Sequence, residues 1–419
     1  MFKTFFNYQA KERNNYIWNL LAALINASEA VILIATVTRS VGITAAGIVT
    51  IAFALSNLTI NIGKYGLRGF QTTDSNSRFS FNSYCSFRII TTICMVLFSS
   101  CFVLYKYIVA AYSLEKALAV ILLCMLYVVE AFEDVYLGHY QFLGRLDIAS
   151  KVFIIRWLSI FIVFCSSIII SKNLVLSLFL ALVISIILEI VLIFDANKIL
   201  QVRFNSFCKS DIKALARQCF PLFAANFLFY YVTNAPKFSI DTYLTDNEQT
   251  CFGIIAMTFS VIELFSSFIY QPQLVIMAEE WNSNQLKSFS KRIKKQFAYI
   301  FLLTIAFSTG AYLIGCNILS LVFSVDLSLY RFELTLIIIA SGSFALLAYT
   351  SLILTIMRKQ KIHFFAISFI SLLSLFGFNL ITVKFGIYGI SIYFTLLISI
   401  ASCINTFSVL HQLSVKKSK

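Results

Sequence analysis

Asn57, Asn61, Lys64 and Arg68 recur at i, i+4, i+7 and i+11, a spacing that lays two amides and two cations along one face of a helix, if that helix continues past its apolar part. Such a ramp can bind hydroxyls and phosphate oxygens through charge-assisted hydrogen bonds. A plainer reading stays open beside it, in which the two cations reach up to headgroups and the amides join neighbouring helices. Glu130, Glu133 and Asp134 fall at i, i+3 and i+4. That one-sided acidic cluster could pair with Arg145, Lys151 or Arg156 and form a gate, or serve as a structural ion network. Glu29 and Glu263 lie deep in apolar stretches, where a carboxyl group is costly unless protonated or paired. Both are candidates for coupling to an ion, H+ or Na+, with a hydrogen-bonded packing role as the competing reading. The last group is Asn234-Ala235-Pro236-Lys237-Phe238-Ser239-Ile240-Asp241. Pro236 removes a helix hydrogen bond, and Lys237 and Asp241 are spaced to pair, either at a functional site or as an ordinary interfacial ion pair.

The elements that must hold these residues are transmembrane helices. With 59% hydrophobic and 12% charged residues and a mean hydropathy of +0.86, 419 residues cannot cover a soluble globule with polar surface. A helix crosses the hydrocarbon core with about 20 residues, and the chain predicts about twelve spans: 16–38, 43–62, 89–110, 117–138, 154–171, 174–194, 219–243, 252–271, 297–316, 334–356, 362–381 and 387–408. If the chain starts inside, 26 lysines and arginines fall on the cytoplasmic side and 7 outside. That asymmetry supports a multi-pass membrane protein of about twelve spans with both termini cytoplasmic.

The same asymmetry accounts for a net charge of +14, so nucleic acid is not an expected partner. The ten cysteines form no Cys-x-x-Cys pair and the three histidines are scattered, so no disulfide framework, metal site or cofactor is expected. No gap is long enough for a folded catalytic domain, and the chain is not expected to be an enzyme.

Gly47-Ile48-Val49-Thr50-Ile51-Ala52-Phe53-Ala54 aligns with Gly253-Ile254-Ile255-Ala256-Met257-Thr258-Phe259-Ser260, 206 residues further on. The shift equals six spans and a basic connector, and it sets Asn57 at the position of Glu263. It predicts an all-α membrane protein of two six-helix bundles, 1–205 and 206–419, related by an axis along the membrane normal and facing a central cavity.

The segment Asn234 to Asp241, followed by Asp246-Asn247-Glu248 and Phe252-Gly253-Ile254-Ile255, resembles the O-antigen flippases (Wzx type). These form part of the polysaccharide-transporter branch of the multidrug/oligosaccharidyl-lipid/polysaccharide exporter superfamily. Tyr65-Gly66-Leu67-Arg68-Gly69-Phe70-Gln71 with Asp74, and Glu133-Asp134 leading to Gly144-Arg145-Leu146, extend the resemblance over most of the chain. It implies a pair of alternating-access bundles that flip an undecaprenyl-pyrophosphate-linked oligosaccharide from the inner to the outer leaflet. It also implies membrane lipids, and a polysaccharide polymerase with its chain-length regulator, as partners. On this reading Asn57, Asn61, Lys64 and Arg68 receive the headgroup, and Asn234, Lys237 and Asp241 attend its exit; Glu29, Glu263, Glu130, Glu133 and Asp134 couple or gate. A diphosphate moving outward down an inside-negative potential gains about 2.3 kcal/mol per charge per 100 mV. A drug exporter of the same superfamily and a polysaccharide polymerase are the alternatives.

Overall fold

A computed structural model of the protein describes residues 12–74 and 78–418. Lys3, Lys11 and Lys419, counted above among the inner cations, lie outside them. The described residues are almost entirely helical: α1 Glu12–Ser40, α2 Ile43–Lys64, α3 Leu67–Thr73, α4 Phe81–Ile108, α5 Leu114–Phe142, α6 Leu146–Ser171, α7 Leu174–Leu200 and α8 Ile212–Tyr243 come first. They are followed by α9 Asp246–Ala256, α10 Val261–Tyr270, α11 Leu274–Asn282, α12 Leu286–Gly310, α13 Cys316–Phe323, α14 Arg331–Ile356 and α15 Gln360–Ser418.

Every predicted span lies in this series. By length and composition, nine helical stretches among the described residues can cross a membrane, and the last, Gln360–Lys416, is long enough to do so twice. Its two passes meet at Gly386, whose φ of 54° and ψ of −147° interrupt the helix. The two remaining predicted spans are α5 and α8, which carry the acidic cluster and the Asn-Ala-Pro-Lys segment and so are more polar than their neighbours. Helix starts follow side-chain caps: Ser80 accepts from the Ser83 amide at 3.2 Å, Ser113 from Lys116 at 3.2 Å and Asn173 from Leu176 at 3.0 Å. Thr245 and Glu248 complete a reciprocal capping box at the start of α9.

Two compact units meet between Tyr230 and Tyr231. This boundary falls inside α8, later than the expected division at 205/206. The reason is packing: Leu215 and Cys219 of α8 enter a core with Leu67, Phe79, Tyr84, Phe87 and Val135, and Phe223 stacks on Tyr65 with centroids 4.3 Å apart.

In the first unit α5 is central, packed against α2, α3, α4, α6 and α7. A second apolar core, including Tyr140, Ile148, Val152 and Leu192, joins α5, α6 and α7. Close approach of α2 to α4 and α5 depends on Gly63, where a Cβ would lie 2.7 Å from that of Ala131 and 2.8 Å from Met95 Sδ. In the second unit α14 has the central place, against α10, α12 and α15. There the eighth span is not one regular helix: Met257–Ser260 tightens to a 3-10 turn between α9 and α10, and the hydroxyl of Ser341 accepts from the Ile262 amide at 3.0 Å. A π turn, Ala311–Gly315, likewise interrupts the ninth span between α12 and α13.

Candidate functional site

The first unit holds a buried network of ionisable groups assembled from seven helices, α1 to α7. Helix α2 ends at Lys64 because Tyr65 and Gly66 both adopt left-handed conformations, φ 48° and 66°. The expected continuous stripe from Asn57 to Arg68 is therefore broken. Arg68, restarted on α3, nonetheless turns back to α5, donating to Asp134 at 3.4 Å and to Gln141 at 3.2 and 3.0 Å. Lys64 reaches Glu130 at 2.8 Å. Both cations keep 36% of their side chains exposed, which leaves them accessible from the cleft they border.

Behind this rim lie two arginines with no exposure at all. Arg88 of α4 donates to Asp134 at 2.7 Å and also to the carbonyl of Gly63. Arg156 of α6 donates twice to Glu133 Oε2, at 2.6 and 3.0 Å, and once to the hydroxyl of Ser185 at 3.3 Å. Glu130 and Glu189 also lie 3.8 Å from its guanidinium. The indole of Trp157 donates to Glu130 at 3.2 Å. Glu29 of α1 is 4% exposed and takes a hydrogen bond from Tyr127 at 2.8 Å. Four cations thus face five carboxyl groups in a low-dielectric interior, where removing one partner is far more costly than at a surface.

Of the partners expected for the acidic cluster, Arg156 takes that place. Arg145 and Lys151 instead pair with Asp147, at 2.9 and 3.5 Å, because Asp147 lies within their own first turn. The cluster is also buried rather than near water: Glu130, Glu133 and Asp134 are 4%, 0% and 6% exposed. Arg88 of α4 and Glu189 of α7 join the network although no helical spacing links them to its other members. Apolar flanks on both sides signal the depth of Glu189, whereas Arg88 follows the polar stretch 82–86 and carries no such signal.

This network forms one wall of a cleft of about 200 Å³ lined by Asn19, Asn26, Lys64, Arg68, Glu130 and Asp134, among others. Asn57 and Asn61 are not part of its lining, and the Asn61 amide donates to the Asn57 carbonyl at 2.7 Å. The remaining site candidates lie in the second unit. Lys237 donates to Asn234 Oδ1 at 3.4 Å and forms no ion pair with Asp241. Asn234 is buried, and Ser239 and Thr382 share a hydrogen bond of 2.6 Å that ties α8 to the first pass of α15. Glu263, half-buried at the start of α10, accepts from Tyr270 at 2.9 Å. A second cleft in this unit, about 470 Å³, is apolar and lies where the 3-10 and π turns loosen the helices, between Thr258, Val261, Phe307, Ile314 and Ile338. Among the described residues no group of three or more His, Cys, Asp or Glu side chains is placed to hold a metal ion.

A multi-pass helical membrane protein with broken spans and a buried ion network has the fold of a membrane transporter. More particularly, it is the fold of MATE transporters. The chain superposes on an inward-facing multidrug resistance MATE family transporter of the MOP superfamily with a TM-score of 0.71 at 11% identity, covering 94% of this chain and 96% of that one. It is similar also to the eukaryotic MATE transporter AtDTX14, with a TM-score of 0.62 at 12% identity over 97% and 98% of the two chains. The bent form of VcmN from Vibrio cholerae gives 0.57 at 13% identity over 96% and 97%. No family model and no curated protein matches the sequence.

Proposed function

We propose that the protein is a flippase that carries a lipid-linked oligosaccharide from the inner to the outer leaflet of a bacterial inner membrane by alternating access, with both termini cytoplasmic. The observation that carries this reading is the character of the first unit's cleft. Its walls set ion-paired charges and amides among alanines, Leu137 and Phe153, with Lys64 and Arg68 partly exposed, and the polar part offers a hydroxyl-rich, phosphate-bearing headgroup charge-assisted hydrogen bonds. Because Lys64 and Arg68 already have carboxylate partners, phosphate oxygens would have to replace Glu130 and Asp134. Capture of the headgroup would then open the ion pairs that hold α2 and α3 to α5. On this reading Glu29 is the coupling-ion candidate, Lys237 with Asn234 and Asp241 attends exit, and no bond of the substrate is made or broken.

Export of a small molecule is the second reading. It is favoured by the apolar cleft of the second unit and by likeness to structures named as multidrug transporters. Proteoliposomes separate the two. A fluorescent undecaprenyl-pyrophosphate oligosaccharide should become accessible to a membrane-impermeant quencher only when the protein is present. Transport of ethidium with no such movement would overturn the flippase reading.

A further inference from the structure

The cleft of the first unit contains polar groups that the ion network leaves unused. Asn19 and Asn26, on α1, both line it, with Ala22 and Ala23 between them. Seven residues at 1.5 Å each separate the amides by about 10 Å along the helix, and the two alanines leave the intervening wall low. Neither amide has a hydrogen-bond partner among the described residues. Ser150 of α6 lines the cleft as well, 4% exposed and likewise without a hydrogen-bond partner among the described residues, and Glu133 Oε1 is buried without a hydrogen bond.

These unmet groups include both donors and acceptors, whereas the charges around them are already matched. A free anion would satisfy the donors but meet Glu133, and a lipophilic cation would leave the amides unmet. A hydroxyl both donates and accepts, carries no charge, and recurs along a saccharide at a spacing that two amides about 10 Å apart can span. We propose that Asn19, Asn26 and Ser150 form a glycan subsite that hydrogen-bonds the hydroxyls of neutral sugar units. The proposal rests on the lipid-linked saccharide reading above and names which part of that substrate this wall recognises.

The test uses the full chain in phosphatidylcholine nanodiscs, with lactose and chitobiose as probes followed by saturation-transfer NMR. The wild type should transfer saturation to at least one disaccharide, and inorganic pyrophosphate or tetraphenylphosphonium should not displace it. The Asn19→Ala/Asn26→Ala variant should bind about tenfold more weakly, while Asn317→Ala, at an exposed position on α13, should bind as the wild type does. Both cleft amides are exposed, so the double variant should fold normally. No transfer to either sugar, unchanged binding in the double variant, or displacement by tetraphenylphosphonium would each overturn the subsite. Flipping is measured in parallel. Amide-dependent sugar binding without flipping would overturn the flippase reading alone, whereas flipping with sugar binding indifferent to the amides would overturn the subsite alone.

Discussion

Replacing Arg156 by Met should destabilise the protein much more than replacing its main partner, Glu133, by Gln. Arg156 is fully buried and makes two hydrogen bonds to Glu133 Oε2, with Glu130 and Glu189 each 3.8 Å away. Its loss strands Glu133 and Glu189 and leaves Glu130 with Lys64 and the Trp157 indole. Breaking a buried pair in this way costs about 3–5 kcal/mol. Glu133→Gln is different, because the guanidinium retains two carboxylates within a short shift and the amide can still accept. That loss should be nearer the cost of one weakened hydrogen bond, about 1–3 kcal/mol. The expected gap of about 2 kcal/mol corresponds to a factor of roughly 30 in the unfolding equilibrium. SDS-driven unfolding in mixed micelles, followed by tryptophan fluorescence and checked for reversibility, measures both variants. Equal losses would refute the reasoning, since they would mean that Glu130 and Glu189 do not act as reserve partners.

Further outcomes are expected elsewhere in the first unit. Tyr127→Phe removes the hydroxyl that donates to buried Glu29 at 2.8 Å and should cost about 1–3 kcal/mol in the same unfolding assay; no change would show that water serves Glu29 instead. Gly63→Ala forces a methyl within 2.7 Å of Ala131 Cβ and should cost about 1–3 kcal/mol by overpacking, with Gly69→Ala, where the nearest atom is 3.8 Å away, as a mild control. The linker carboxyl of Asp74 has a pKa below the ordinary carboxylate range. Partial burial pulls it upward, but the Arg78 amide, the Tyr84 hydroxyl and the Phe79 amide together outweigh that effect. A depressed pKa stabilises the fold above the unfolded value and loses that contribution as pH falls through the folded one. Hydrogen exchange at Arg78 and Phe79 should therefore stay slow down to about pH 4 and quicken below it, whereas Asp74→Asn should flatten the profile.

The helical membrane architecture was legible because twelve apolar stretches leave few other ways to satisfy a backbone in lipid. Periodicity also found the acidic face of α5, and Lys64 and Arg68 do meet it. What it could not foresee was the pair of left-handed residues, Tyr65 and Gly66, that ends α2 and bends Arg68 back by a route other than a straight helix. Arg156 was among the partners that the spacing offered, but Arg88 was hidden for another reason. The charge-asymmetry rule treats every cation near a span end as a loop cation, and only the packing of α4 against α2 and α5 shows Arg88 to be a buried partner. Asn19 lies close to the start of the first span and Asn26 near its middle, and two isolated amides seven residues apart stand out less than the four-residue stripe of α2. The register between Gly47 and Gly253 hid a difference as well, since α2 runs on past Asn57 while the matching span breaks at Met257–Ser260.

The polarity of α5 bears on how the chain reaches the membrane. An acidic residue at the centre of an isolated helix opposes insertion by about 2.5–3.5 kcal/mol, and α5 carries Glu130, Glu133 and Asp134 within a little over one turn. The cations that neutralise them are Lys64, Arg68 and Arg88 upstream and Arg156 downstream. During synthesis the upstream three emerge first, but the partner of Glu133 arrives only with α6. The fourth and fifth spans therefore have reason to enter the bilayer together, as a hairpin, and a ribosome stalled between them would leave a nascent helix with an unmatched acid in lipid.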